Sequence, residues 1–119
     1  MKVCPQSWHL PNNAEWDALK AAADRDLAGV KLKAKSGWNN NGNGTDDYGF
    51  SALPGGYGND GDTKGTFGGV GDGASYWSAS EHEHRSYGAH YRVFNWNRKD
   101  FLWFSNYKSA LLSVRCVKD

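Results

Sequence analysis

From Trp38 to Ala74, almost a third of the chain, apolar residues follow neither the period of two of a strand nor the 3.6 of a helix. The stretch is built instead from Asn39-Asn40-Asn41-Gly42-Asn43-Gly44-Thr45-Asp46-Asp47, Pro54-Gly55-Gly56 and Asn59-Asp60-Gly61-Asp62, residues that make turns. A segment of this length is either disordered or a loop fixed by special contacts. Trp38, Tyr48, Phe50, Leu53, Tyr57 and Phe67 recur along it, and each can pin it to a core. The ordered loop is the better reading, and it confines regular structure to the two flanks.

On the amino-terminal flank, Pro11 keeps Ser7 to Leu10 extended, since the residue before a proline is driven out of the helical region. Asn12 then offers an N-cap, with Glu15 three residues later to close a capping box. Trp16, Leu19, Ala23 and Leu27 mark the buried face of an amphipathic helix of about three turns, with Glu15, Asp17, Lys20, Asp24 and Arg25 solvated. Asp26 is expected to cap a second short helix from Leu27 to Ala34, with Val30 and Leu32 inward and Lys31, Lys33 and Lys35 outward, stopped at Ser36-Gly37.

On the other flank four strands are expected: Tyr76–Ser80, Ala89–Trp96, Phe101–Phe104 and Leu111–Val117. Ten of the chain's seventeen aromatics fall between Tyr76 and Tyr107, interleaved with His82, His84, Arg85, His90, Arg92, Arg98, Lys99 and Asp100. So small a domain cannot bury all of them, and the run from Asp100 to Tyr107 has no clean period that would place its bulk on one face. Aromatics left outside and rimmed by Arg, Lys, Asp and Ser have the composition of a recognition surface. The alternative, burial in a strand-rich core, accounts for about half of them.

At 119 residues the length fits one domain spanning residues 1–119. Fourteen basic and thirteen acidic side chains give a net charge of +1, which supplies no basic field for nucleic acid. No apolar run is long enough to insert into a membrane, and Met1-Lys2-Val3-Cys4-Pro5 lacks the apolar stretch of a signal peptide. Either the chain stays inside the cell or its natural start lies upstream. The two cysteines, Cys4 and Cys116, stand almost at the ends. Bridged, they close nearly the whole chain into one loop, a constraint worth about 4–5 kcal/mol in chain-entropy terms. The disulfide is favoured, and two buried thiols are the alternative in a reducing cytosol.

Several of these phrases occur together in one family. Cys4-Pro5…Trp8-His9-Leu10-Pro11…Ala14-Glu15-Trp16, Ser36-Gly37-Trp38-Asn39, Gly42-Asn43-Gly44-Thr45-Asp46-Asp47-Tyr48-Gly49-Phe50-Ser51-Ala52-Leu53-Pro54-Gly55-Gly56, Tyr76-Trp77-Ser78-Ala79-Ser80-Glu81 and Ser113-Val114-Arg115-Cys116-Val117-Lys118-Asp119 resemble the Fibrobacter succinogenes major paralogous domain. The likeness runs from residue 3 to the end. It implies an α+β, C-type lectin-like fold related to the formylglycine-generating enzyme group. Two helices would flank a small twisted antiparallel sheet, with long Gly/Asn-rich loops and the termini joined beside Cys4 and Cys116.

Family members carry an Asn-rich run before a terminal Lys-Ser…Ser-Val-Arg-Cys phrase. Here the run reads Val93, Arg98, Lys99, Asp100, Phe101, Leu102, Trp103, Phe104, Ser105 and Tyr107, with Ala110 and Leu111 beyond Lys108-Ser109. Change concentrated at Asn positions over an intact scaffold resembles the variable protein of a diversity-generating retroelement, in which template adenines are randomised. Such proteins resemble C-type lectins and bind ligands with the diversified face. Drift at exposed positions is the alternative.

The same residues also resemble parts of other chemical sites. His82 and His84 alternate on a strand as zinc ligands would, but a closed site needs two more, and neither His90 nor His9 is fixed nearby by the sequence. A structural calcium ion could use the oxygens of Asn39 to Asp47 and Asn59 to Asp62, although Asx and glycine turns need the same residues with no ion. Gly69-Val70-Gly71-Asp72-Gly73-Ala74 lacks the strand before it and the helix after it that a dinucleotide fingerprint requires. An oxidase of the formylglycine-generating kind needs a reactive cysteine pair, which Cys4 and Cys116 do not offer once bridged.

The expectation is therefore a non-enzymatic display domain without a cofactor, extracellular or on the cell surface, with the cytoplasm as the alternative. Its ligand would be a protein or a surface glycan. Phe101, Trp103, Phe104 and Tyr107 would be the apolar anchors, with Leu102, Val93 and Ser105 beside them. His84, His90, Arg98, Lys99 and Asp100 would give orientation and discrimination, the histidines with a pH dependence. The alternative function is a structural or cell-envelope module that buries these aromatics against a partner or another copy.

Overall fold

The computed structural model describes residues 3–59 and 66–119. It is an α+β arrangement with two short helices and three small antiparallel sheets. In chain order the elements are β1 (Trp8–His9), α1 (Asn13–Ala22), a 3-10 turn (Arg25–Leu27), α2 (Ala28–Leu32), β2 (Tyr57–Asn59), β3 (Thr66–Gly68), β4 (Gly73–His82), β5 (Arg85–Asn95), β6 (Leu102–Tyr107) and β7 (Val117–Lys118).

The two ends of the described chain meet. β1 pairs antiparallel with β7, Trp8 opposite Lys118 and His9 opposite Val117. Cys4 and Cys116 form a disulfide beside this ribbon, their Cα atoms 5.8 Å apart. His9 clasps the same junction, its ring nitrogens 2.7 Å from Glu15 Oε2 and 2.6 Å from Asp119 Oδ1. The hydrogen bond to Glu15, then that to Asp119, raises the imidazole pKa above its ordinary value, and His9 in turn lowers that of Glu15.

α1 starts where the capping box places it. The Asn12 side chain accepts from the Glu15 N–H, and the Glu15 carboxylate accepts from the Asn12 N–H. The helix runs about the three turns expected, to Ala22, and Asp24 then adopts a left-handed φ of 68°. Leu27, expected on the buried face, consequently lies outside the helix and is exposed. Asp26 caps nothing: it sits inside the 3-10 turn, and α2 runs only from Ala28 to Leu32.

Lys33 is the larger correction. It was placed outward, yet it is 2% exposed. α2 has ended one residue earlier, so Lys33 is extended and bridges Ala52, turning its side chain inward. The ammonium lies over the Trp38 ring and donates to the carbonyls of Asn95 (3.0 Å) and Arg98 (3.3 Å). Burial lowers its pKa, and the two carbonyls compensate the buried charge.

The described residues of the glycine-rich stretch form an ordered wrap around α2. The N–H groups of Gly44, Thr45, Asp47 and Ala52 donate to the carbonyls of Ala34, Val30, Lys31 and Leu32. Trp38 is buried and its indole N–H donates to Ala52 O at 3.0 Å, while Phe50 packs partly into the core under Arg115. Tyr48, Leu53, Tyr57 and Phe67 do not pin the loop; all four are exposed. Backbone hydrogen bonds hold it between two apolar anchors, Trp38 and Phe50, instead of six. Asp60 to Asp62 lie outside the described residues.

The main sheet is β4-β5-β6. One face packs on α1, where Trp16 meets Tyr76, Phe101 and Phe50 at ring-centroid distances of 5.9, 6.1 and 6.3 Å, and Phe94 stacks on Phe101 at 4.7 Å. Ala23, Ala28, Leu32, Trp38, Ala52 and Ala74 complete this core. The stretch expected as a fourth strand, Leu111 to Val117, is not continuous. Leu111 bridges Gly58, Ser113 bridges Tyr76, and only Val117 and Lys118 reach β1, so this segment touches three sheets in turn.

Candidate ligand-binding surface

β5 and β6 pair in a continuous register that sets Val93 opposite Leu102, Arg92 opposite Trp103, Tyr91 opposite Phe104, His90 opposite Ser105 and Gly88 opposite Tyr107. Because side chains alternate along a strand and opposite residues share a face, this register sorts the expected site residues. Phe101, Trp103, Ser105 and Tyr107 share a face with Phe94, Arg92 and His90. Leu102, Phe104 and Asn106 share the other face with Val93 and Tyr91.

Phe101 is not an anchor. It is 1% exposed, lies beneath α1 with Lys20 Nζ over its ring, and belongs to the core. His90 is also enclosed, at 2% exposure, with Trp103 on one side and the His82 ring stacked at 6.0 Å on another. Its Nε2 lies 3.1 Å from Glu83 Oε1, and its Nδ1 is buried without a partner among the described residues. Both residues were expected to touch ligand; Phe101 is shielded beneath α1, and His90 lies on the inner face of β5 under neighbouring rings.

Past the footprint of α1 the strand is open. Trp103, Phe104 and Tyr107 are 62%, 48% and 59% exposed, and Ser105 and Asn106 are exposed with them. Tyr107 stacks on exposed Tyr87 at 5.4 Å, and Phe104 lies 6.0 Å from Tyr91. The turn before β6 is fixed from below. Val30 N–H donates to Lys99 O, Gly29 presses on the Asp100 carbonyl where a Cβ would collide, and Lys33 holds the Asn95 and Arg98 carbonyls. On this seat Arg98 donates twice to Asp100, at 2.9 and 3.3 Å, which holds the Asp100 carboxyl below its usual range. Lys99 and His84 are exposed at the rim, and Val93 and Leu102 are half-buried.

On the far face the sheet and the glycine-rich loop enclose a groove of about 400 Å³. Tyr57, Tyr91, Val93, Trp96 and Phe104 give it apolar walls, and Asp72 and Asn106 supply polar edges. Tyr57 and Trp96 were not expected here. Trp96 is the last residue of the expected strand Ala89–Trp96 but lies just past the end of β5, and Tyr57 is expected as a pin into the core; nothing local signals that the loop folds back over β5.

Arg92 is buried, with its guanidinium near Asn13 and Asp17 at 3.3 and 3.4 Å, and burial lowers its pKa. Among the described residues no three His, Cys, Asp or Glu side chains converge as metal ligands would. His82 Nδ1 accepts from the His84 N–H, Asp46 accepts from the N–H and hydroxyl of Ser51, and Asn43 accepts from the Trp38 N–H. These loop oxygens thus serve the turns themselves.

No curated protein and no solved structure matches the chain. The family model described as the Fibrobacter succinogenes major domain matches residues 1–118. With the motifs matched along nearly all its length and the ends joined as those motifs imply, the chain belongs to the Fibrobacter succinogenes major domain family.

Proposed function

We propose that this is a non-enzymatic ligand-binding domain of C-type lectin-like fold that displays β6 and its flanks to a protein or glycan outside the cell. The observation that carries the reading is the exposure of Trp103, Phe104 and Tyr107 beside a core that closes without them. Rigid aromatic rings with polar tips lose few rotamers on binding and desolvate a large area, as interface hot spots do. Arg98, Lys99, Asp100 and His84 at the rim would orient the ligand, and the groove beneath Phe104 extends the surface on its other face. The disulfide is compatible with an oxidising, extracellular setting. The Asn positions replaced along β6 favour a retroelement-diversified face.

The test is binding to arrayed glycans and to intact cells by the wild-type domain and by a Trp103→Ala/Phe104→Ala/Tyr107→Ala variant of matched thermal stability. Binding lost only in the variant supports the reading. A variant that unfolds shows the rings to be structural and sinks it. Sister sequences from one source should in addition differ chiefly at the β6 positions.

A further inference from the structure

The groove between the main sheet and the glycine-rich loop is walled by four rings, and each is held from behind. Tyr57 lies along Gly68 and Gly69, where an added Cβ would come within 3.4 and 3.2 Å of it, yet the residue is 54% exposed. Trp96 donates its backbone N–H to the Asp72 carbonyl at 2.9 Å, and Gly42 leaves no room for a side chain against its Cβ. Tyr91 and Phe104 stand on neighbouring strands with ring centroids 6.0 Å apart. Tyr57 and Trp96 stack on no other ring among the described residues, so their faces are open to a ligand. The charge of the lining is one-sided. Among its described residues Asp72 is the one formal charge, and there is no lysine or arginine. Asp72 Oδ1 accepts from Asn39 Nδ2 at 3.2 Å, which leaves Oδ2 without a partner among the described residues.

We infer that this groove holds an alkylated ammonium group, with the rings of Tyr57, Tyr91, Trp96 and Phe104 around it and the Asp72 carboxylate beside it. An aromatic face carries the negative part of the ring's quadrupole and attracts a cation placed over it. Four such rings and one carboxylate, with no cationic residue to offset them, complement a positive charge. A neutral ligand would leave Asp72 unanswered, and an anion would be repelled by it. Methyl groups on the nitrogen suit the site better than bare N–H bonds, because Val93 and Leu112 complete the walls and cannot accept hydrogen bonds. The carrier follows from the same charges. A phosphate linked to the ammonium would lie near Asp72 with no lysine or arginine among the described lining residues to pair it, so a methylated lysine side chain fits and a phosphocholine does not. The assignment rests on the ligand-binding role proposed above, since Phe104 belongs to both surfaces.

Choline is the first probe, read by the indole N–H signal of Trp96 in nitrogen-labelled protein at constant ionic strength. The signal should shift saturably, with a dissociation constant on the order of 1 mM. The uncharged isostere of choline, with a tert-butyl group in place of the trimethylammonium, should bind at least about tenfold more weakly. Tyr57→Leu should weaken choline binding about threefold or more. Asp72→Asn, which keeps the shape and an oxygen for Asn39, should weaken it about twofold to fivefold. Both residues are exposed, far-UV circular dichroism checks that each variant is folded, and the isostere comparison needs no variant. Between carriers, acetylated and amidated trimethyl-lysine should bind at least as tightly as choline, and phosphocholine about twofold to fivefold more weakly. The absence of a saturable shift up to about 20 mM choline overturns the assignment. So do equal affinities for choline and its isostere, or a choline affinity that neither variant changes. Phosphocholine binding more tightly than trimethyl-lysine overturns the choice of carrier and points to a lipid head group. No probe or variant here alters Trp103 or Tyr107, so a failure of the cage is distinguishable from a failure of the outer rings on glycans and cells.

Discussion

Phe101 and Trp103 stand two residues apart, on the same face of adjoining backbone, and have opposite fates. Phe101 is sealed under α1 against Phe94 and Trp16, while Trp103 is 62% exposed. Both are large aromatics that a core would accept. What separates them is the reach of a ten-residue helix: α1 covers the sheet as far as Phe101, and beyond its footprint the same face meets solvent. Chemical type does not divide scaffold from display surface here; position relative to the helix does.

The sharpest way to break this comparison is to truncate both rings. Phe101→Ala should cost about 3–5 kcal/mol, seen as a large fall in denaturation midpoint, since it opens a cavity against the Trp16 and Phe94 rings. A loss below about 1 kcal/mol would mean that the core tolerates what it is described as needing. Next in size is the clasp at the ends. Replacing Cys4 and Cys116 by serine should lower stability by about 2–5 kcal/mol, and urea titration of oxidised and reduced protein measures it. An unchanged midpoint would put the order of the scaffold elsewhere.

Lys33→Met tests how the scaffold seats the display strand. It keeps the apolar stem but removes the ammonium donor from the Arg98 carbonyl and leaves the Asn95 carbonyl only the longer bond from the Arg98 N–H, so about 1–3 kcal/mol should be lost. Amide exchange should then quicken at Arg98 to Leu102 ahead of α1.

A smaller, pH-dependent effect belongs to His9. Its folded pKa lies above the ordinary 6.5, so its contribution is fully present below that value and is lost as pH rises through the raised one. Glu15 has the opposite sign: its pKa is lowered, and its contribution disappears as pH falls. Melting temperature should therefore decline as pH rises from 6.5 through the raised pKa in the wild type and less in His9→Ala; parallel curves would remove the clasp from the account. Smallest of all, Trp103→Ala should move stability by no more than about 0.5 kcal/mol, as at other solvent-facing positions.

What could be read beforehand was local. Asn12 and Glu15 announced the start of α1, the end-to-end cysteines announced a bridge, and the β-branched and aromatic runs located β4, β5 and β6, though β4 extends further at both ends, β5 begins earlier at Arg85 and stops at Asn95, and β6 begins at Leu102 and continues to Tyr107. The failures all turn on where one segment lands on another. The burial of Phe101 depends on how far α1 extends over β6. The inward turn of Lys33 depends on α2 ending at Leu32 and on two carbonyls more than sixty residues away in sequence. Leu111 to Val117 looked like a strand from its alternation, but no single neighbour runs alongside it. The groove joins Tyr57 to Phe104, a juxtaposition that no short-range pattern encodes.

The staple between Cys4 and Cys116 governs how the domain would respond to pulling. Tension applied at the two ends passes through one covalent link and the short ribbon beside it, so the helices and the main sheet bear almost none of it. As long as that bond is oxidised, the exposed rings of β6 keep their shape under a mechanical load that would unravel an unstapled chain.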